Sequence, residues 1–316
     1  MDDIDLDVRV ERRVDGADGI VVLDLVDPTG RDLPSWQAGA HIDLALPGEL
    51  NRQYSLCGDV DDLGTWRIAV LREPDGRGGS AYIHDHLVPG AVVHVQGLRN
   101  HFMLRASTHY VFVAGGIGIT PILPMLRAAA LAGSSWELHY GGRQLASMAF
   151  RDELAQAPGG QVTLHPQEQV GLMDLDAILG APRAGTTIYC CGPEPLLNAV
   201  EERVVGWPEG SLQVERFAPK DVGEPVFDGS FEVELASSGE VLTVPPDRSV
   251  LEVLEDAGVP VLSSCQDGTC GTCETPVLSG EVDHRDSLLT PAEQAANTYM
   301  YVCVSRAACP RLLLDL

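Results

Sequence analysis

Four cysteines near the end of the chain restrict most strongly what it can fold into. Three of them lie within nine residues, in SSCQDGTCGTCETP, as Cys265, Cys270 and Cys273, and Cys303 follows after 29 further residues. The start of the chain, MDDIDLDVRV, lacks the basic residues and apolar stretch of a secretory signal, so we expect a cytoplasmic protein. In that reducing compartment, clustered thiols indicate metal binding or catalysis rather than disulfides.

The spacing of these cysteines favours an iron–sulfur cluster. Cys265-x4-Cys270-x2-Cys273 followed by a distant Cys303 is the plant-type pattern for a [2Fe–2S] cluster, which needs four thiolates around two irons. A structural zinc site is the alternative. Zinc sites favour short paired spacings on both sides, whereas Cys303 stands alone.

The sequence around the cysteines predicts a small domain of strands and one helix. FEVELA and EVLTVP alternate as two strands, and Ser249 caps an amphipathic helix, SVLEVLEDAG, that ends at Gly258. The cysteine loop follows, then a turn at 290–293 and a strand that carries Cys303. This stretch, 231–316, resembles the plant-type ferredoxins, which implies an α+β fold of the β-grasp type.

A glycine-rich turn in the middle of the chain predicts a dinucleotide site. In YVFVAGGIGITP a buried strand runs into Gly115, Gly116 and Gly118, and Thr120 is placed to cap the helix that follows. Glycines allow a pyrophosphate to approach the backbone, and the N-terminus of the helix offers free N–H groups to it. The turn departs from the G-x-G-x-x-G fingerprint, and a purely structural turn is the alternative.

Strands and helices alternate over residues 107–218. WELHYGG, QVTLHP and TTIYCCGP have the pattern of strands, while MAFRDELAQA and EPLLNAVEERV have that of helices, so we expect an α/β domain with a parallel sheet. Ligands bind such sheets at the carboxyl ends of the strands, where 115–120 and 190–193 both fall. Cys190 is interpreted as a buried small residue that ends a strand.

The first 106 residues predict a small β-barrel. GIVVLDLVD, HIDLALP, TWRIAVLR and AVVHVQGL alternate as short strands between Pro, Gly and Asp turns. Within LNRQYSLCGD, Arg52 can form a forked pair with a phosphate, and Tyr54 offers a flat face and a hydroxyl. Gly78, Gly79 and Ser80 precede a helix and can donate amides to the same phosphate. Taken alone, R-x-Y-S also fits any barrel strand.

Together these motifs resemble the ferredoxin–NADP reductase superfamily, and more closely the phthalate dioxygenase reductase family, which includes vanillate demethylase reductases. The resemblance covers essentially all 316 residues and depends on RQYSL, GRGGS, VAGGIGITP, YCCGP and the cysteine spacing, in the order of the family. It implies an FMN-binding β-barrel domain, an NAD(P)-binding α/β domain, a linker and a plant-type [2Fe–2S] ferredoxin domain, at residues 1–106, 107–218, 219–230 and 231–316.

The resemblance also implies the roles of individual residues. Ser55 is implied near flavin N5, Cys191 beside the nicotinamide, and Phe217 near the flavin at the domain junction; for Phe217 a linker hydrophobe is the alternative. The residues that match the cofactor and cluster motifs are Arg52, Tyr54, Ser55, Gly78, Gly79, Ser80, Gly115, Gly116, Gly118, Thr120, Cys191, Gly192 and Pro193, together with the ligands Cys265, Cys270, Cys273 and Cys303.

The implied function is electron transfer from NADH or NADPH, through FMN and a [2Fe–2S] cluster, to a terminal Rieske-type oxygenase or demethylase. The chain shows no Rieske or haem-ligand pattern of its own, so the oxygenase is expected to be a separate partner. A reductase that serves a cytochrome P450 and a redox-sensing iron–sulfur protein are the alternatives. FAD in place of FMN is left open. So is NADPH, because Arg143 could meet a 2′-phosphate or be a surface residue.

Charge narrows the possible partners. The net charge of -25 disfavours nucleic acids and anionic membranes, and no apolar run approaches the roughly 20 residues of a membrane span. Residues 231–316 carry 14 Asp or Glu against four Arg, a net charge of -10. This suits docking to a basic protein partner, although solubility alone also explains it. The family suggests a monomer.

Overall fold

The chain folds into two compact units that divide between Glu215 and Arg216. The structure is a computed structural model and describes residues 4–48 and 50–316. The first unit holds an antiparallel sheet followed by a parallel sheet, and the second unit holds a third, mixed sheet. Within the described residues, no helix combines the length and hydropathy that crossing a bilayer requires.

Six antiparallel strands open the first unit and form the predicted barrel. They pair in the order β4-β3-β6-β1-β2-β5, and an isolated bridge between Leu56 and Ile68 brings the two end strands together. Their alternating Val, Ile and Leu side chains fill the interior, where Leu23, Ile42 and Trp66 are fully buried. The elements are β1 (Leu6–Ala17), β2 (Ile20–Val26), β3 (His41–Leu46), β4 (Leu50–Ser55), β5 (Trp66–Leu71), α1 (Gly79–His86) and β6 (Val92–Arg99).

The second half of this unit is the predicted parallel sheet with helices on both faces. Its five strands pair in the order β11-β10-β7-β8-β9, and each neighbouring pair is parallel. The strands are β7 (His109–Gly115), β8 (Ser135–Gly142), β9 (Gly160–Pro166), β10 (Thr186–Cys191) and β11 (Leu212–Glu215), and the helices are α2 (Ile119–Leu131), α3 (Arg151–Leu154), α4 (Gln167–Val170), α5 (Leu175–Leu179) and α6 (Glu194–Arg203).

The strand order creates a crevice between β7 and β10. From β7 the chain continues through α2, which packs on one face through Ile122 and Met125. From β10 it continues through α6, which packs on the opposite face through Leu197 and Val200. The chain therefore leaves the two strands toward opposite faces, which makes their carboxyl ends the topological switch point where ligands bind in open α/β sheets.

The second unit has the predicted β-grasp arrangement. Its main sheet has the order β13-β12-β18-β14-β16, and α7 buries Val250, Leu251 and Leu254 in the core beside it. Ser249 and Glu252 form a capping box at the start of α7, as the sequence predicted for Ser249. The elements are β12 (Phe231–Leu235), β13 (Val241–Val244), α7 (Val250–Asp256), β14 (Glu274–Ser279), β15 (Val282–Asp283), α8 (Pro291–Ala296), β16 (Tyr299–Tyr301), β17 (Arg306–Ala307) and β18 (Arg311–Leu314).

Two local predictions in this unit were wrong. The expected turn at 290–293 is the start of helix α8, because Thr290 and Glu293 form a capping box that begins a full helical turn. Cys303 does not lie in a strand: β16 ends at Tyr301, and Cys303 lies in the turn that follows. A turn suits a metal ligand, because its side chain is not committed to either face of a sheet.

Candidate functional site

The four motif cysteines lie together in the second unit. Cys265, Cys270 and Cys273 belong to the loop between α7 and β14, and all four side chains are buried, with at most 9% exposure. Side-chain hydrogen bonds connect Cys265 with Cys270 and Cys303, and Cys273 with Cys303. Four buried thiols within reach of one another are the donor set that a [2Fe–2S] cluster requires.

The loop directs backbone N–H groups at two of these sulfurs. The amides of Asp267 and Thr269 donate to Cys265 Sγ at 3.3 and 3.5 Å, and that of Thr272 donates to Cys270 Sγ at 3.5 Å. Positive φ angles at Gln266, Gly268 and Gly271 bend the loop into this arrangement. N–H groups directed at a sulfur stabilise its thiolate form, which is the form that ligates iron.

The Thr272 hydroxyl lies 3.1 Å from Cys270 Sγ, and we expect it to raise the midpoint potential of the cluster. A hydrogen bond to a ligand sulfur favours the more negative, reduced state, so Thr272→Val should lower the potential. One bond of about 1 kcal/mol corresponds to about 40 mV for a one-electron couple. A redox titration followed by electron paramagnetic resonance measures the shift. The control is Thr275→Val, because Thr275 donates to the carbonyl of Cys273 and not to a sulfur; equal shifts in both variants would contradict the prediction.

Arg52 lies across the start of α1 in the first unit. An added Cβ at Gly79 would lie 2.7 Å from Arg52 Cγ and 2.9 Å from its Nε, so the arginine crosses the first residue of the helix because that residue has no side chain. Gly78 precedes it with a φ of 89°, and a Cβ there would meet no described atom within 4 Å. A guanidinium over free helical N–H groups suits a phosphate. The Ser80 hydroxyl accepts a hydrogen bond from the Glu73 amide at 3.0 Å.

Tyr54 and Ser55 end β4 beside this arrangement. Tyr54 is half-buried and packs against the barrel core, and burial raises the pKa of its hydroxyl well above the usual value. Ser55 is buried, with 5% exposure. Its hydroxyl forms a hydrogen bond with Glu215, which the structure places at the end of β11.

Glu215 is a residue that the sequence analysis missed. It pairs in register with Cys191 across β10 and β11, and its Oε2 lies 4.0 Å from Cys191 Sγ. Burial raises the pKa of Glu215 to about 8, against the opposing effect of the Ser55 hydrogen bond. Burial likewise raises the pKa of Cys191, so both groups hold their protons near neutral pH. The structure thus joins Ser55 and Cys191, both singled out from the sequence, with a protonated carboxyl.

The raised pKa of Glu215 predicts that the fold loses stability with rising pH. The folded protein keeps this proton up to about pH 8, whereas an ordinary glutamate releases it near 4.5. Between these values the unfolded chain binds fewer protons, so the free energy of unfolding falls as pH rises. Glu215→Gln should remove this component, and urea unfolding at the two ends of the window measures it. Glu209→Gln, at an exposed position, is the control, and identical pH dependence in all three proteins would refute the prediction.

The two loops at the crevice pack backbone against backbone. A Cβ on Gly118 would overlap the carbonyl oxygen of Cys191 and lie 2.7 Å from the Gly192 nitrogen, and one on Gly192 would lie 2.9 Å from Gly115 Cα. Gly116 has a φ of 54° and open space around it. The glycines therefore allow the two loops to contact each other closely and leave backbone exposed to a ligand, as a dinucleotide loop requires. Pro193 precedes the first residue of α6.

Three further residues were singled out from the sequence: Thr120, Phe217 and Cys190. Thr120 is not the cap of α2, because the helix begins one residue earlier, at Ile119; its buried hydroxyl donates to the Ile117 carbonyl at 2.9 Å. Phe217 belongs to the second unit, and its side chain is 47% exposed. Cys190 is fully buried, as its interpretation as a structural residue requires.

Comparisons with known proteins match both the region of the parallel sheet and the unit that contains the four cysteines. A family model described as a 2Fe-2S iron-sulfur cluster binding domain matches residues 233–308, and one described as an oxidoreductase NAD-binding domain matches residues 112–202. The first match favours a [2Fe–2S] cluster over the zinc alternative. The chain is also 42% identical to the phenoxybenzoate dioxygenase subunit beta of Ectopseudomonas oleovorans, over 98% of this chain and 97% of the relative.

Two solved structures resemble the whole chain. An intact type IV self-sufficient cytochrome P450 monooxygenase superposes with a TM-score of 0.93 at 44% identity and covers 99% of this chain, although the chain spans only 41% of that protein. Phthalate dioxygenase reductase, described as a modular structure for electron transfer from pyridine nucleotides to [2Fe–2S], superposes with a TM-score of 0.70 at 37% identity, over 99% of this chain and 98% of that one. The chain belongs to the phthalate dioxygenase reductase family of NAD(P)H-dependent oxidoreductases, which combine FMN with a [2Fe–2S] cluster.

Proposed function

We propose that this protein is the reductase component of an oxygenase system and delivers electrons from NADH to a separate terminal oxygenase of the Rieske type. The observation that carries the proposal is the presence, in one chain, of four buried thiols, a glycine turn at the carboxyl end of a parallel sheet, and an arginine that crosses the first glycine of a helix. When bound, the flavin accepts two electrons as a hydride and the cluster carries one electron at a time, so together they convert paired into single electrons.

The first unit supplies the residues that would bind and orient the flavin. Arg52 and the amides at Gly78, Gly79 and Ser80 would hold its phosphate, since they converge at the N-terminus of α1. Tyr54 would pack against the ring system. The domain boundaries at 106/107, 218/219 and 230/231 belong to the same proposal.

The crevice loops would orient the nucleotide. Gly115, Gly116, Gly118 and Thr120 would cradle its pyrophosphate, and Cys191, Gly192 and Pro193 would lie beside the nicotinamide. A Cβ on Gly116 would meet no described atom within 4 Å, so the backbone there is open to the close approach of a ligand. The exposed Arg143 follows β8, and comparison of NADH with NADPH in steady-state kinetics decides whether it binds a 2′-phosphate.

Two side chains of the first unit would lie near the reacting atoms. Ser55 would lie near flavin N5. The carboxyl of Glu215, which forms a hydrogen bond with Ser55, would stay protonated, so this part of the site would be uncharged near neutral pH. A neutral environment suits hydride transfer, which needs no general acid or base. Phe217 follows Glu215 by two residues, and we propose it as an aromatic contact of the flavin.

One spectrum and one turnover assay test the proposal. The purified protein should show flavin and iron–sulfur absorption, release FMN and not FAD on heating, oxidise NADH and reduce cytochrome c. Absence of both chromophores after anaerobic reconstitution would overturn it. A fully loaded protein that does not turn over NADH would instead favour the redox-sensing alternative.

A cytochrome P450 is the second candidate for the electron acceptor. The observation that favours it is the superposition on a self-sufficient P450 monooxygenase with a TM-score of 0.93. Reduction rates measured with a purified Rieske-type oxygenase and with a P450 as alternative acceptors separate the two.

The acidic second unit predicts that delivery to the oxygenase depends on salt. With a net charge of -10 over residues 231–316, a monomeric reductase should be attracted to a basic docking surface, and screening should slow oxygenase reduction as ionic strength rises. The internal control is NADH-dependent bleaching of the flavin in the same protein, which involves no docking. A rate independent of salt would leave solubility as the explanation of the acidity.

A further inference from the structure

Two histidines that have no role in the site described above meet on the edge of the parallel sheet. His139 lies on β8 and His165 on the neighbouring edge strand β9, and His139 Nδ1 is 3.2 Å from His165 Nε2. Both rings are only partly buried. The alternate residues of β8, such as Trp136 and Leu138, are buried in the core on the other face. The two imidazoles therefore lie on a face that solvent reaches.

The separation of the two nitrogens suits a shared metal ion. With a Zn–N bond of 2.0–2.1 Å and tetrahedral angles, two imidazole ligands of one ion lie about 3.3 Å apart. The pair comes from two hydrogen-bonded strands, so the backbone holds both ligands in place before any ion binds. Water can fill the other coordination positions, because the side chain of His139 is 15% exposed.

Glu137 lies on the far side of His139, beyond hydrogen-bond distance of its ring. Its Oε2 lies 4.0 Å from Nε2 of His139, the ring nitrogen that faces away from His165, and its Oε1 accepts a hydrogen bond from Arg183 at 2.7 Å. A carboxylate on the far nitrogen of a metal-binding histidine orients the ring and raises its basicity.

The protonation of the pair also suits a ligand role. Burial lowers the pKa of His139, with Glu137 opposing and His165 and Arg183 adding to the effect, and burial lowers that of His165 as well. A neutral imidazole keeps one lone pair, so an ion that binds both facing nitrogens requires the proton of the N–H···N contact to move to a far ring nitrogen.

We propose that His139 and His165 form a binding site for a transition-metal ion of the Zn²⁺ class, with Glu137 as the orienting carboxylate. Imidazole pairs select borderline ions such as Zn²⁺, Ni²⁺ and Cu²⁺ over Mg²⁺ and Ca²⁺. The site is independent of the cluster thiols and of the proposed electron transfer.

Calorimetric titration of Zn²⁺ into the oxidised holoenzyme tests the site. The cluster must be in place, because empty thiols would themselves bind zinc. Wild type should show a site that His139→Asn and His165→Asn each weaken at least about tenfold, and Glu137→Gln should weaken it about tenfold. His109→Asn is the matched control: His109 lies 3.9 Å from Glu137 and is not part of the pair, so this variant should bind zinc like wild type.

A second measurement needs no variant. Zn²⁺ should protect His139 and His165, but not His94, from carbethoxylation by diethyl pyrocarbonate in the wild-type holoenzyme, as mapped by mass spectrometry. Unchanged modification of the pair, or equal zinc binding by wild type and the His139→Asn/His165→Asn double variant, would overturn the proposal. The 3.2 Å contact would then be only an N–H···N hydrogen bond.

Discussion

The Cys303→Ala protein is expected to oxidise NADH at its flavin and yet fail to reduce cytochrome c. The substitution removes the one ligand that comes from outside the cysteine loop, so the remaining three thiolates leave one iron incompletely coordinated. We expect bound iron to fall and cytochrome c reduction to drop roughly 100-fold, at least as much as the loss of a supporting residue costs a metal site. NADH-dependent bleaching of flavin absorbance, followed by stopped flow, should be unchanged, because the substitution alters none of the residues proposed to bind the flavin or the nucleotide.

Cys309→Ala is the matched control for this experiment. Cys309 is in the same unit, but its Sγ contacts the backbone of Glu281 and Arg311 and lies outside the ligand set. The control protein should keep its iron and its cytochrome c activity. Undiminished cytochrome c reduction by Cys303→Ala would mean that electrons leave from the flavin directly, and the relay would be refuted.

Gly118→Ala should abolish NADH oxidation while the flavin stays bound. The added methyl group would overlap the Cys191 carbonyl and approach the Gly192 nitrogen to 2.7 Å, and all of these are backbone atoms that no rotamer change can move. The loops after β7 and β10 must then separate. Because a displacement of about 1 Å can cost 100-fold in rate, we expect at least a 100-fold loss in the rate of hydride transfer. Flavin content after gel filtration and single-turnover kinetics with NADH measure the two effects.

Gly206→Ala is the control for that substitution. Its Cβ would meet no atom within 4 Å, and its φ is not in the left-handed region, so the protein should behave as wild type. Gly116→Ala separates clash from strain: its surroundings are open, but its φ of 54° is unfavourable for alanine. Hydride transfer by Gly118→Ala equal to that by Gly206→Ala would show that the packing of the two loops does not matter.

Much of the site was predictable because its signals are local. The spacing of three thiols in one loop indicates the ligand set of the cluster. The glycines within 115–118 and at 78–79 mark positions where the backbone must be accessible without a side chain. The same holds for the capping box at Ser249, which is read from four consecutive residues. Single short segments of the sequence were therefore enough to predict the cluster ligands, the two glycine turns and the start of α7.

The features that were missed depend on contacts between distant segments. Glu215 has meaning only because β11 pairs with β10 and its carboxyl meets Ser55, 160 residues earlier in the chain. Strand β1 was not identified from the sequence, because its residues from Glu11 to Ala17 are exposed or only partly buried. The segment therefore shows little alternation of apolar and polar residues. The position of Cys303 depends on where β16 ends, and strand ends are poorly marked in sequence.

The position of Glu215 has a practical consequence for anyone who exchanges the iron–sulfur module of this enzyme for another. Glu215, whose carboxyl forms a hydrogen bond with Ser55, is the last residue of the first unit. A junction placed even one residue too early would remove Glu215, which is part of the first unit, although the junction would seem to lie in a linker. Chimaeras should therefore retain the native chain through this residue and place the junction within 219–230, where the backbone has no regular structure.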